Sequence, residues 1–501
     1  MATSVVDIEE RAMPSETTRL LSPDSSTPPP PSSVDPASAV LLDSSKRKKS
    51  SIFLQLAPFA RLYESIICKD YYQEHDPSFI DENGNVDEQH CKLAPIQAEL
   101  VTVQGGQMLF DSIVGALLAL PYGMISDRYG RKPVAILSIC GLIMSNIWIL
   151  SVCYFDETFP LRWIWFSAVF TIIGGGQATA GAAFFSILAD STSMTERSTT
   201  FFRVGSAMLL AEVTGVPISA ALMIRNIWMP SCIAIGIELF GVLLMIFTLP
   251  ETLHSNEQGQ EDPDLSTNGR AGDILKAKHG HRLHDNWKKV KVAVDNVLRD
   301  SAFIFRSPEL LLLLSTFFVH ILGRVSLGLI LQYTSKKFGW TIAQASFLLS
   351  LRAAVNLILL LLILPAISHL LTSKLHMQAK TKDLHVARWS ALLLATGDFT
   401  IAFSPNLGIL TTGLFIYALG SGFSAVVRSL VTQTVKPDEI GRLSAVISIV
   451  DTIGAIFSGP FLAATYRWGL SLGGPWIGMP FLTTGGLFVI TLVAVLIVRM
   501  N

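Results

Sequence analysis

Long apolar runs, separated by short polar connections, make up most of the chain. Runs at 100–125, 134–153, 163–189, 204–224 and 227–249 precede one extended polar stretch. Runs at 310–331, 343–368, 389–404, 407–435, 443–466 and 475–498 follow it. A hydrocarbon core about 30 Å thick is crossed by about 20 helical residues, so this pattern predicts eleven membrane-spanning helices. A twelfth apolar stretch, 52–68, comes before them and is interrupted by Pro58, Arg61 and Glu64. As a helix it would rise only about 25 Å, so two readings stand: a short first span, or a segment lying at the interface. Taken as a span, it completes an all-α polytopic membrane protein with 12 helices in two six-helix halves. The predicted boundaries are a tail at 1–50, a first half at 51–250, a central loop at 251–306 and a second half at 307–499.

Composition agrees with this class. Half of the 501 residues are hydrophobic, only 15% are charged, and the mean hydropathy is +0.47, which excludes ordinary soluble domains. A net charge of −1 argues against a nucleic-acid partner. The expected partners are instead the lipid bilayer, a small organic substrate and protons, with the chain working as a monomer. No signal peptide is expected, because residues 1–50 are polar and rich in Ser, Thr and Pro. Such a tail cannot bury a core and should be disordered. The five cysteines have no metal-type spacing, so no metal or cofactor is expected.

Charge sets the orientation. With the N-terminus in the cytosol, the cytosolic segments after residue 45 hold 25 Lys and Arg, and the outer loops hold 7. The outer loop between spans 1 and 2 is acidic, with Asp70, Glu74, Asp76, Asp81, Glu82, Asp87 and Glu88. Cys68 and Cys91 flank that loop, either as a disulfide or as free thiols. In the central loop, 269–306 reads as a basic surface helix, with lipid contact as the alternative.

Between spans 2 and 3 stands Gly123-Met-Ile-Ser-Asp127-Arg128-Tyr-Gly130-Arg131-Lys132. Gly130 permits the sharp reversal between two helices. The string resembles the loop between helices 2 and 3 in the major facilitator superfamily of secondary transporters. The resemblance implies that Asp127 holds an inner gate by contacting the start of helix 11, and that Arg131 helps close the cytoplasmic side. Gly215-Val-Pro217 is similar to part of the helix 5 motif of drug:proton antiporters, but 163–189 lacks the arginine those proteins carry in helix 4. Gly174-Gly175-Gly176, Ala189-Asp190-Ser-Thr192 and Glu196-Arg197-Ser-Thr199 resemble the branch that includes the proton-coupled folate transporter and its fungal relatives. Leu249-Pro250-Glu251-Thr252-Leu253 and Trp476-Ile-Gly478-Met-Pro480 fit those fungal relatives. In the tail, Glu16-Thr-Thr-Arg-Leu20-Leu21 resembles an acidic dileucine sorting signal, which makes the vacuolar membrane the alternative to the plasma membrane.

An internal repeat supports the two-half reading. Arg203, eight residues and Glu212-Val-Thr-Gly215 in span 5 match Arg442, eight residues and Asp451-Thr-Ile-Gly454 in span 11. Ionised groups in mid-membrane cost about 2.5–3.5 kcal/mol each on insertion scales, so they face a cavity or a partner. Asp111, Glu212 and Asp451 are the candidates for proton coupling. Arg324, Arg352 and Arg428, with His320 and Asp398, are the candidates for substrate binding, and the three arginines favour an anionic or polar cargo. Structural ion pairs between helices are the competing reading of the whole set, to which Glu238 also belongs. No phosphate-binding loop and no nucleophile–base constellation occurs, so an ATP-driven pump and an enzyme are both disfavoured. The expectation is a secondary transporter, proton-coupled and exporting a metabolite or toxic compound. Uptake of an organic anion and a non-transporting membrane sensor are the alternatives.

Overall fold

The computed structural model describes residues 36–192, 197–248, 308–373, 378–435 and 440–498. The dileucine expectation, those for the central loop and the expected disorder of residues 1–35 lie outside these residues, whereas residues 36–50, expected to belong to the disordered tail, form the first turns of the first helix. Within them the chain is helical, and the twelve spans appear in the expected order. The first half holds α1 (Pro36–His75), α2 (Ala94–Tyr129), α3 (Arg131–Tyr154), α4 (Leu161–Phe170 and Gly176–Asp190), α5 (Arg197–Arg225) and α6 (Met229–Thr248). In the second half are α7 (Pro308–Ser326 and Ile330–Phe338), α8 (Ile342–Ile358, continuing to Ser373), α9 (Ala379–Ala402), α10 (Leu407–Gly420 and Phe423–Thr432), α11 (Ile440–Leu472) and α12 (Met479–Ile497). Nine helices among the described residues are long and apolar enough to cross a membrane. The other three, α1, α4 and α9, are diluted by charge or by a break.

Helix α1 is a 40-residue helix that continues through Pro58. It lies inside the bundle: Leu54, Ala57, Ala60 and Tyr63 are buried, and its Leu54 carbonyl accepts a hydrogen bond from Ser219 of α5 at 2.8 Å. The interfacial alternative is thereby set aside. The charges that lower its hydropathy, Arg61 and Glu64, are buried and partnered by the following loop. That loop is closed by a disulfide between Cys68 and Cys91.

Helix α4, read from the sequence as one span over 163–189, is broken instead. Residues 171–175 form a turn, and Gly174, Gly175 and Gly176 all have positive φ (91°, 80° and 67°), a region that side chains with a Cβ disfavour. The break exposes backbone groups at membrane depth, where each needs a partner. Tyr122 of α2 supplies one, donating to the Ile172 carbonyl at 2.9 Å and accepting from the Gly174 amide at 2.9 Å. Ser138 of α3 donates to the Gly174 carbonyl at 2.5 Å.

The two halves meet along two helix pairs, α2 with α11 and α5 with α8. Small residues bring the first pair close, as a membrane interior requires. A Cβ on Gly105 would lie 2.9 Å from the Gly459 carbonyl oxygen, and a Cβ on Gly459 would lie 2.6 Å from that of Gly105. The outer surface carries large exposed apolar side chains such as Phe247 (83%), Ile224 (75%) and Ile490 (64%), a surface suited to lipid and not to water.

Candidate functional site: a cavity between the halves

The loop joining α2 to α3 is a single residue. Gly130, with φ of 110°, ends one helix and begins the next, and its amide donates to the Ser126 carbonyl at 3.2 Å. Arg131 forms an ion pair with Asp190 and donates to the Ser186 carbonyl at 2.7 Å, both at the end of α4. Lys132 donates to the Ile246 carbonyl of α6 at 2.8 Å. These contacts fasten three helix ends of the first half into one block. Gly123 has open space where a Cβ would stand. Asp127 is exposed, and Arg128 lies over the Tyr129 ring at 5.5 Å. The expected contact of Asp127 with the start of α11 falls on the side chains at 440–442, which lie outside those described. We call this end of the bundle the motif face, and the end carrying Cys68–Cys91 the disulfide face.

A cavity of about 670 Å³ opens between α5, α8, α9 and α10 in the part of the bundle nearer the motif face. Local backbone irregularity shapes it. Pro365 cannot donate a helical hydrogen bond, and just before it Leu359–Ile363 widens to a π-helical turn, a form often found at functional sites. Opposite, α10 is interrupted at Ser421–Gly422, and Ser421 donates to Asn356 of α8 at 2.7 Å. Leu360, Leu364 and Val426 present an apolar wall. At one edge Asp383 accepts from Ser429 and Gln433, each at 2.8 Å, while Lys382 donates to Ser368 at 2.9 Å.

Glu212 of α5 also lines the wall. It forms an ion pair with Arg352, so α5 of one half is tied to α8 of the other. Side-chain exposure is 10% for Glu212 and 20% for Arg352. A second pair joins Arg428 and Asp451 at 3.8 Å within the second half, with Arg428 also 6.0 Å above the Phe317 ring. Arg324 is exposed, forms no ion pair among the described residues, and lies within electrostatic reach of Asp451 and His320. An exposed arginine near the middle of a membrane helix must face a water-filled space.

Not every expected residue belongs to this cavity. Asp398 is fully buried among α9, α10 and α12, beside Gly485 and Tyr417. Asp111 lies half-buried on α2, one turn from Gln107, which accepts from Tyr63 at 3.1 Å. Glu238 accepts from Asn146 at 3.2 Å inside the first half. Asp383 and Lys382 were missed, because from the sequence they read as part of a basic loop.

The family profile described as Major Facilitator Superfamily matches residues 101–376. The chain belongs to that superfamily. It is 35% identical to the efflux pump ustT of Aspergillus flavus, over 84% of this chain and 80% of the relative. To the MFS efflux pump atnC of Emericella nidulans it is 34% identical, over 86% and 81%. Among solved structures it resembles the human organic anion transporter MFSD10 (TM-score 0.54, 18% identity, covering 92% of this chain and 99% of that one). A nucleoside transporter, NupG, gives a TM-score of 0.58 at 12% identity, covering 91% and 99%. These structural likenesses establish the major facilitator fold. The protein is thus a multi-pass membrane transporter of small organic substrates, not an enzyme, built as two six-helix halves around a path between them.

Proposed function

We propose that this protein is a proton-driven exporter that collects a small amphipathic metabolite from the cytosol and releases it outside the plasma membrane. The single observation that carries this reading is the Glu212–Arg352 pair, half-way along the path and shared between the halves. Protonation of Glu212 removes one charge of the pair and frees α8 from α5. Departure of the proton restores the tie. Such a bond has two states, and both the proton and the rocking of the halves bias it, which is what coupling requires.

Sidedness supports the direction. The excess of basic residues assigns the motif face to the cytosol. A disulfide persists in oxidising surroundings and not in a reducing cytosol, so Cys68–Cys91 argues independently that its face lies outside. The cavity then opens on the side from which an exporter loads, and the efflux pumps at 34–35% identity agree in direction. Its apolar wall suits an aliphatic or aromatic body, and Asp383 and Lys382 at its edge suit polar groups on the same molecule.

The test is untargeted mass spectrometry of cells and medium, comparing a strain lacking the protein with one overexpressing it. A compound retained inside without the protein and enriched outside with it supports the proposal and names the cargo. A compound left in the medium of the deletion strain would reverse the direction. No difference in either compartment would move the transporter to an internal membrane such as that of the vacuole.

A further inference from the structure

The disulfide face holds a buried charge network that the cavity does not use. We propose that residues 88–92 are the seal at the outer end of the transport path and that Glu88 is the positioning residue that holds it shut. The inference rests on the reading above that the two halves rock against each other, exposing the path to each side in turn. Three bonds carry these residues across to the other half. The Glu88 carboxylate accepts from the backbone amide of Ile342, in the first turn of α8, at 2.7 Å. Gln89 Nε2 donates to the Gly339 carbonyl at 3.1 Å, and Lys336 Nζ donates to the Lys92 carbonyl at 2.5 Å. One layer deeper, Gln332 of α7 bonds Gln104 of α2.

The near side of the seal is rigid. Cys68–Cys91 staples it to α1. Glu64, with no exposed surface, accepts from Lys92 Nζ and from Gln97 Nε2, each at 2.7 Å. Gln97 also donates to the Cys91 carbonyl at 3.1 Å. Glu88 itself is held by Arg61 Nε and Lys92 Nζ, each at 3.1 Å. Arg61 and Lys92 balance Glu64 and Glu88 without help from the second half. When α7 and α8 swing away, the network therefore stays folded on the first half, and only the three crossing bonds and the deeper Gln332–Gln104 bond are exchanged for bonds to water. A seal of this kind opens and closes without unfolding. Because Glu88 joins α1, the α2 approach and α8 in one carboxylate, it sets where the seal meets its partner.

The experiment uses the full chain in membrane vesicles, with Cys140, Cys153 and Cys232 replaced by serine and Ser335→Cys added. Ser335 is fully buried near the outer end of α7, on the face shared with Gln332 and Lys336. A membrane-impermeant sulfonated maleimide applied from outside should label it slowly. Glu88→Gln should raise that rate at least tenfold, Glu88→Asp should do so less, and Gln89→Ala serves if Glu88→Gln fails to fold. Glu99→Gln, a carboxylate whose partner Arg162 is in the same half, should leave the rate unchanged. Equal slow rates in Glu88→Gln and Gln89→Ala would overturn the seal while leaving the cavity reading intact. Rapid labelling of the parent from the cytosolic side alone would overturn the orientation, and the export proposal with it.

Discussion

Replacing Glu212 by glutamine isolates the interaction on which the coupling proposal rests. The substitution keeps the shape and removes the charge, leaving the Arg352 guanidinium without its carboxylate at membrane depth. Breaking one side of a fully buried pair costs about 3–5 kcal/mol, mostly because the remaining charge is stranded. Here one-fifth of the Arg352 side chain stays exposed, which recovers part of that loss, so about 2 kcal/mol is the working figure. Arg352→Gln should cost a similar amount. The double variant, with neither charge, should recover most of the loss, because two neutral amides can bond each other. Thermal unfolding of the four proteins in one detergent gives the cycle. With single losses of about 2 kcal/mol each and a double-variant loss below about 1 kcal/mol, the expected coupling energy is about 3 kcal/mol, well above the roughly 0.5 kcal/mol scatter of independent sites. Single losses that simply add would show that the two groups do not sense each other, and the shared switch would fall.

Alkylation of the intact protein without reductant should count three free thiols, Cys140, Cys153 and Cys232, rising to five after reduction; five at the start would refute the bridge. Removing the bridge with Cys68→Ala and Cys91→Ala, which frees a loop of sequence separation 23, should destabilise the protein by about 3 kcal/mol in thermal unfolding. Tyr122→Phe deletes both hydrogen bonds that satisfy the break in α4, and unfolding measurements should register a loss of about 1–3 kcal/mol. Gly459→Val pushes a side chain into the Gly105 backbone of the opposite half, so export should be abolished even where the variant reaches the membrane, as measured by transport per surface-labelled molecule.

The spans were legible because hydropathy over about 20 residues is set by the bilayer and needs no tertiary information. The motif was legible too, since a one-residue turn between two helices demands glycine at Gly130. What escaped was whatever depends on partners distant in sequence. Helix α1 reads as doubtful because Pro58, Arg61 and Glu64 interrupt it, and the partners of the two charges, Glu88 and Lys92, come only near the end of the loop that follows. The glycine triplet at 174–176 enters the sequence reading as part of a family resemblance, while the structure uses it to break α4, with Tyr122 and Ser138 arriving from other helices. Depth in the membrane marked Glu212 and Arg352 as significant, but their pairing across the two halves is a tertiary fact. The same measure singles out Asp398, which is buried away from the cavity, and passes over Asp383, which lies at the cavity edge beside a helix start.

Outward movement of cargo driven by a proton at the Glu212–Arg352 switch is read most directly as accumulation of the metabolite identified by mass spectrometry in inside-out vesicles or proteoliposomes, with a pH gradient imposed, acidic inside. Wild-type protein should concentrate the compound against its gradient and cease when an ionophore collapses the pH difference, while Glu212→Gln should equilibrate the compound without concentrating it. Undiminished concentration by Glu212→Gln, or accumulation indifferent to the ionophore, would contradict the account.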